Sequence, residues 1–149
     1  MPRTLSELAS ETLNGMRYYR IVLWVCGPLF GITLFAFILP KISNQAIIGV
    51  TSLTVILTEM LVGVFPAKRG VFTRHDVIAG LMGLSMIALT YFFAWSLNDM
   101  FARIELLLAI SMCIVAVCCF IDRKRFLFYE LTLIFLSHLS IIIAALALR

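Results

Sequence analysis

Residues 127–148 read LFYELTLIFLSHLSIIIAALAL, a nearly unbroken apolar run whose acidic and basic members are Glu130 and His138. The hydrocarbon core of a bilayer is about 30 Å thick, and a helix needs about 20 apolar residues to cross it. The stretch is long enough to do so. We therefore predict that it forms a membrane-spanning helix.

Four further apolar runs lie upstream and meet or approach the same length, at residues 21–39, 46–65, 77–97 and 104–121. The run at 104–121 is the shortest and carries Glu105 at its start. The first run is too long for the core of a cleavable signal peptide, so we expect it to stay as a span. Short connections make consecutive helices antiparallel neighbours. The sequence thus predicts an all-α fold, with residues 1–149 forming a single transmembrane domain, a polytopic bundle of about five spans.

The composition excludes a water-soluble domain of this size. The 149 residues are 62% hydrophobic and 13% charged, whereas a soluble domain is about half apolar and about a quarter charged. The formal net charge is +4, which in a soluble protein would suggest nucleic acid. Here the basic residues lie at the ends of the predicted helices, so we expect no nucleic-acid partner.

The basic residues also predict the orientation in the membrane, because helix ends must alternate between the two sides. Lys and Arg in the connections face the cytoplasm more often than the outside. We therefore expect a cytoplasmic N-terminus and an outside C-terminus. One side would collect Arg3, Arg17, Arg20, Lys68, Arg69, Arg74, Arg123, Lys124 and Arg125, and the other Lys41, Arg103 and Arg149, which account for all 12 basic residues.

The residues before Arg20 have the pattern of a short amphipathic helix. Thr4 and Glu7 stand at the spacing of a capping box. Such a helix would lie on the cytoplasmic membrane interface; the alternative is a partly frayed leader into the first span. The residues that follow at helical intervals are Leu5, Leu8, Ala9, Thr12, Met16 and Tyr19.

Glu59 is the first ionisable residue inside a predicted span. Such side chains are costly in a membrane, usually face the bundle interior, and are functional candidates by default. Its polar neighbours fall within one half of the same helix, so we expect Glu59 to face the protein interior, about 10 Å from the helix end. Those neighbours are Thr51, Ser52, Thr54 and Thr58.

Further ionisable residues are predicted near the same end of the bundle. His75 and Asp76 open the third span, Glu130 lies about one turn into the fifth, and Ser137 and His138 follow two turns later. We interpret Glu59, His75, Asp76 and Glu130, with His138 deeper, as a candidate polar site for a proton relay, a cation or a lipid headgroup. The alternative is that the acids pair with Arg74, Arg123 or Lys124, or reach to the interface.

Small residues predict two close helix contacts. Gly27 and Gly31 are four residues apart in the first span. In the third span, Ala79 and Gly83 share a face with Met86 and Thr90. We therefore expect a neighbouring helix to pack closely on Gly83.

Metal and cofactor sites are not expected. No H-x-x-x-H or E-x-x-H spacing occurs, and Cys26, Cys113, Cys118 and Cys119 form no C-x-x-C pair. A b-type haem would need two facing histidines, and the only two, His75 and His138, are predicted at different depths. No nucleophile elbow, phosphate-binding loop or dinucleotide fingerprint is present, so we expect no enzyme activity.

Residues 61–80 read LVGVFPAKRGVFTRHDVIAG, in which a helix ends in Gly-x-Phe-Pro and the next opens on His. This resembles an uncharacterised family of prokaryotic multi-spanning membrane proteins and, more distantly, the FGF-receptor-activating protein, damage-regulated autophagy modulator and Sfk group. Those families have six spans, against five counted here. The resemblance implies a non-enzymatic protein of the bacterial inner membrane concerned with lipid organisation. The matching positions are Gly63, Phe65, Pro66, His75 and Ala79.

Three classes of function are compatible with these observations. The first is a non-catalytic membrane protein, either an accessory subunit or a lipid-associated regulator, with membrane lipid, other membrane proteins or further copies of itself as partners. The second is a small oligomeric transporter or channel protomer with Glu59 and His138 in its pathway. The third is a lipid-modifying enzyme that would use His75 and Asp76.

Overall fold

The computed structural model describes residues 4–65, 67, 73–122 and 125–149. Within these ranges the chain forms helices and no strand, so the predicted all-α fold is confirmed. The helices are α1 (Leu5–Ser10), α2 (Leu13–Ile32), α3 (Gln45–Val64), α4 (Arg74–Ser96), α5 (Asp99–Ile121) and α6 (Phe126–Ala147).

Among the described residues, five helical segments are long and apolar enough to cross a membrane, as predicted. Their exposed surfaces carry many large apolar side chains, which is typical of helices that face lipid. The chain is therefore a multi-pass membrane protein. The segments are Leu13–Lys41, Gln45–Val64, Arg74–Ser96, Met100–Cys119 and Phe126–Ala147.

The N-terminal helix is shorter than predicted. The Thr4–Glu7 capping box is present, but α1 ends at Ser10, and the side chain of Thr12 caps the separate helix α2. The residues from Leu13 onward therefore belong to the first span. A Cβ atom on Gly15 would lie 2.5 Å from the carbonyl oxygen of Ala9, so the tight corner between α1 and α2 requires glycine.

Two spans extend more than one helical turn beyond the starts of their predicted hydrophobic runs. The first continues from α2 through a π-helical segment, Thr33–Ile38, and a 3₁₀ turn, Leu39–Lys41. The fourth lies in α5, which begins at Asp99 instead of Ile104. This earlier start carries Glu105 more than one turn into the helix, where it no longer lies at a boundary.

Helices that follow one another in the chain pack side by side, and α4 also packs on α6. The π-helical segment closes the arrangement because it contacts α6. We call the end of the bundle formed by α1 and residues 65, 73, 122 and 125 the α1 end. The other, formed by residues 41–44, 97–98 and 148–149, is the opposite end. The apolar core includes Leu34, Ile38, Val55, Phe93, Met112 and Ala144.

One predicted small-residue contact is present and the other is not. Cβ atoms on Gly27 and Gly31 would lie 3.4 Å from Met60 and 3.1 Å from Ile56, both on α3. The first span thus approaches α3 closely at both glycines. The expectation for Gly83 was wrong, because a Cβ there would meet nothing within 4 Å. Gly83 lies at the margin of the buried face of α4, whose centre is filled by Met86, Leu89 and Phe93.

Candidate functional site

His75 ties the first turn of α4 to the end of α3. Its side chain is buried, and its Nδ1 atom lies 2.8 Å from the carbonyl oxygen of Phe65. That carbonyl belongs to the residue that ends α3, so no helical hydrogen bond is available to it. The Phe65 and His75 positions of the sequence signature thus meet in one hydrogen bond that closes the α3–α4 connection.

Gly63 allows α2 to approach the last turn of α3. A Cβ there would lie 3.4 Å from Leu23 and 3.5 Å from Trp24. The Nε atom of Arg20 donates a 3.0 Å hydrogen bond to the Gly63 carbonyl, and the Trp24 indole donates one of 3.2 Å to that of Met60. Of the remaining signature positions, Ala79 is half-buried on α4, and Pro66 lies outside the described residues.

Asp76 caps helix α4. Its Oδ2 atom accepts hydrogen bonds from the backbone nitrogen of Thr73 at 2.6 Å and from the Thr73 hydroxyl at 2.9 Å. A carboxylate in the first turn also complements the partial positive charge of a helix N-terminus. These contacts explain the presence of an acidic residue at position 76 by its structural role as a helix cap.

Glu130 holds α1 against α6. Its Oε2 atom accepts a 2.8 Å hydrogen bond from the backbone nitrogen of Leu5. Ser6, the next residue of α1, is buried. Glu130 also interacts electrostatically with His75 and with Glu7. The carboxyl group therefore lies where α1, α4 and α6 come together.

Glu59 is a buried carboxyl group without a hydrogen-bond partner among the described residues. It is 8% exposed, and its Oε2 atom lies 3.6 Å from the position of a Cβ on Gly27. It interacts electrostatically with His138. A larger residue at position 27 would crowd this carboxyl group, so Gly27 makes room for both the helix contact and the acid.

His138 borders the same region from α6. Its Nδ1 atom lies 2.7 Å from the carbonyl oxygen of Ile134 on its own helix. Its ring meets that of Phe30 edge-on, with centroids 6.5 Å apart. The residue is exposed. His138 therefore lies between the first span and α6 without filling the core.

The structure brings together most of the sequence-predicted candidates, though not as one cluster of direct contacts. Glu130 interacts electrostatically with His75, and Glu59 with His138. Tyr19 interacts with both carboxyl groups. The alternative that the acids pair with arginine or lysine is not seen for Glu59 within the described part of the chain. Arg123 and Lys124 lie outside that part.

Sequence reasoning missed Tyr19 and Glu105 as site residues. Tyr19 was placed before the first span, in either an interfacial helix or a partly frayed leader, whereas it lies within the span Leu13–Lys41. Glu105 was treated as a boundary residue, but its side chain is fully buried. A signal was available, because Glu105, Ala109, Met112 and Cys119 recur at helical intervals, and all four are buried.

The start of α2 carries an exposed basic face at the α1 end. Arg17 and Arg20 are exposed and line a shallow concave surface with Leu13 and Ile21, which are 93% and 50% exposed. Only the Nε atom of Arg20 is bonded to a described residue, which leaves four further N–H donors on its guanidinium group. The surface combines fixed positive charge with apolar side chains.

No group of three or more His, Cys, Asp or Glu side chains suited to a metal ion occurs among residues 4–65, 67, 73–122 and 125–149. The rings of both histidines lie against backbone carbonyl groups. Comparisons with family models, with characterised proteins and with solved structures found no match to this chain.

Proposed function

We propose that this chain is a non-catalytic membrane protein that binds anionic lipid at its α1 end, as a lipid-associated regulator. The observation that carries the proposal is the exposed face of α2, where Arg17 and Arg20 lie beside Leu13 and Ile21. Guanidinium groups bind phosphate oxygens through several N–H donors. Neighbouring apolar side chains would contact the acyl chains of the same lipid.

The surroundings of this face suit the boundary between lipid and water. Tyr18 and Trp24 are exposed on the same helix, and such aromatic residues concentrate at headgroup level. Arg20 is held at the end of α3 by its bond to Gly63. By the positive-inside rule this end faces the cytoplasm, where anionic lipid attracts basic residues.

Lipid-dependent thermal stability tests the proposal. The purified protein in phosphatidylcholine nanodiscs should unfold at a higher temperature when phosphatidylglycerol is included, because a ligand that binds the folded state stabilises it. Arg17→Gln should lose most of that gain. Arg149→Gln is the matched control, since it removes one exposed positive charge at the opposite end. Equal gains in wild type and Arg17→Gln would refute a lipid site on this face.

A transporter or channel protomer is the second candidate, and Glu59 favours it. A buried carboxyl group that has no hydrogen bond to a described residue and lies near His138 is typical of a proton or cation pathway. Liposomes containing the protein should then dissipate an imposed proton gradient, and Glu59→Gln should stop them. Asp122→Asn, at the residue that caps the end of α5, is the control. If liposomes containing the wild type lose the proton gradient no faster than protein-free liposomes, a proton pathway is excluded.

A further inference from the structure

Glu105 is the most enclosed ionisable side chain among the described residues. It is 0% exposed, compared with 4% for His75 and 8% for Glu59. It lies on α5, six residues after Asp99 and thus about 9 Å from the helix end. The proposed lipid site and the Glu59 region both involve the other half of the bundle, so neither accounts for this carboxyl group.

The two oxygen atoms of Glu105 have different surroundings. Oε2 accepts a 2.6 Å hydrogen bond from the hydroxyl group of Ser140 on α6. Oε1 is buried and has no hydrogen-bond partner among the described residues. A buried polar atom without a partner costs free energy, and native structures contain few of them. The unpartnered oxygen therefore needs an explanation.

Glu105 belongs to a polar layer within the apolar core. Ser52, Thr90 and Ser140 are each buried and lie about 9 to 11 Å from the opposite-end termini of their helices, from the helical rise. The hydroxyl oxygen of Ser52 also has no partner in the described part of the chain. Thr90 donates to the carbonyl of Met86 and to the Met112 sulfur. The layer contains hydroxyl groups and no basic side chain.

No described charge balances Glu105 from the two helices packed against α5. None of their ionisable groups forms a hydrogen bond or ion pair with it. Arg103, on the same helix, is exposed. An ionised carboxylate enclosed without a counter-charge is far more costly than a neutral carboxylic acid. The groups concerned are Arg74, His75, Asp76 and Tyr91 on α4, and Tyr129, Glu130 and His138 on α6.

We propose that Glu105 and Ser140 form a proton-binding site in the half of the bundle distant from α1. The carboxyl group carries a proton while α5 packs on α6, with Ser140 as its hydrogen-bond partner. Separation of α5 from α6 would admit water, and the proton would pass to that water and leave a carboxylate. Because α5 packs mainly on α4 and α6, this exchange couples proton uptake at Glu105 to the packing of α5 in the bundle.

Infrared difference spectroscopy of the full chain in liposomes tests the assignment. A protonated carboxyl group has a C=O stretching band distinct from the carboxylate bands, and that band moves when the proton is replaced by deuterium. At neutral pH the wild type should show such a band, and Glu105→Gln should lack it. Glu59→Gln and Glu130→Gln are the controls and should retain it.

Ser140→Ala provides a second test of the proposal in which Glu105 itself is unchanged. Loss of the serine hydroxyl should shift the Glu105 band to higher frequency, because its carbonyl oxygen loses a hydrogen bond. This readout does not require Glu105→Gln to fold well. If wild type and Glu105→Gln have identical carboxyl bands, the proton site is refuted. A band that Ser140→Ala leaves unmoved refutes the pairing.

Discussion

The Nδ1 atom of His75 lies 2.8 Å from the carbonyl oxygen of Phe65, across a connection that joins two membrane-spanning helices. The side chain is 4% exposed, so water cannot easily replace this hydrogen bond. Two residues ten positions apart in the chain are thereby fixed to one another. The bond joins the Phe and His positions of the Gly-x-Phe-Pro…His pattern and holds the two ends of the α3–α4 connection together.

Loss of this bond should destabilise the protein. His75→Ala leaves a part-buried carbonyl without this partner, which costs up to about 1–3 kcal/mol, and we expect a lower thermal midpoint in detergent. His138→Ala is the matched control, because the exposed His138 ring contacts a carbonyl on its own helix. If both variants unfold at the same temperature as wild type, His75 does not hold the connection closed.

The α1–α2 corner should not tolerate a side chain at position 15. A methyl group there would lie 2.5 Å from the backbone oxygen of Ala9, which cannot rotate away. We expect Gly15→Ala to release α1, seen as faster amide hydrogen exchange over residues 5–10. Gly83→Ala has open space around its new methyl group and should keep wild-type exchange. Slow exchange in both would show that the corner can relax.

Glu130 should control the docking of α1. Glu130→Leu removes the oxygen that accepts the Leu5 amide, so exchange at that amide should accelerate while the rest of α6 stays protected. Glu130→Gln keeps an amide oxygen and should show a smaller effect. Exchange at Leu5 that is unchanged in Glu130→Leu would mean that α1 is held by its other contacts.

The membrane spans were predictable from the sequence because length and apolar content dominate the energetics of a helix in lipid. Helix starts were less predictable. Asn98 and Arg103 lower the hydropathy of the sequence around the first turns of α5, so the predicted span began too late. Glu105 was therefore placed at its boundary. Gly83 illustrates a different limit, since a small residue permits a close contact but does not determine which neighbour fills it.

The candidate site was partly predictable for a similar reason. Glu59 is an acid in a long apolar run, and helical periodicity places it on the polar side of α3, where it is buried. Whether Glu59 has a hydrogen-bond partner depends on side chains from α2 and α6. The periodicity of the sequence does not determine how these two helices are rotated about their own axes. The Leu5–Glu130 bond spans 125 positions and leaves no local signal.

The basic residues predict the orientation in the membrane, and labelling can measure it. In a chain whose native cysteines are replaced by alanine, Ser10→Cys and Arg149→Cys place single thiols at the two ends of the bundle. Five spans put them on opposite sides of the membrane. We expect an impermeant maleimide to label Arg149→Cys on intact cells and Ser10→Cys only after permeabilisation. Labelling of both on intact cells would contradict the odd number of spans.

Lipid retained by the purified protein tests the central claim most directly. Native mass spectrometry of the detergent-solubilised wild type should show bound phosphatidylglycerol in preference to phosphatidylcholine. Arg17→Gln should retain markedly less of it, and Arg149→Gln should match wild type. Equal retention of the two lipids by wild type, or unchanged phosphatidylglycerol in Arg17→Gln, would contradict an anionic-lipid site at the α1 end.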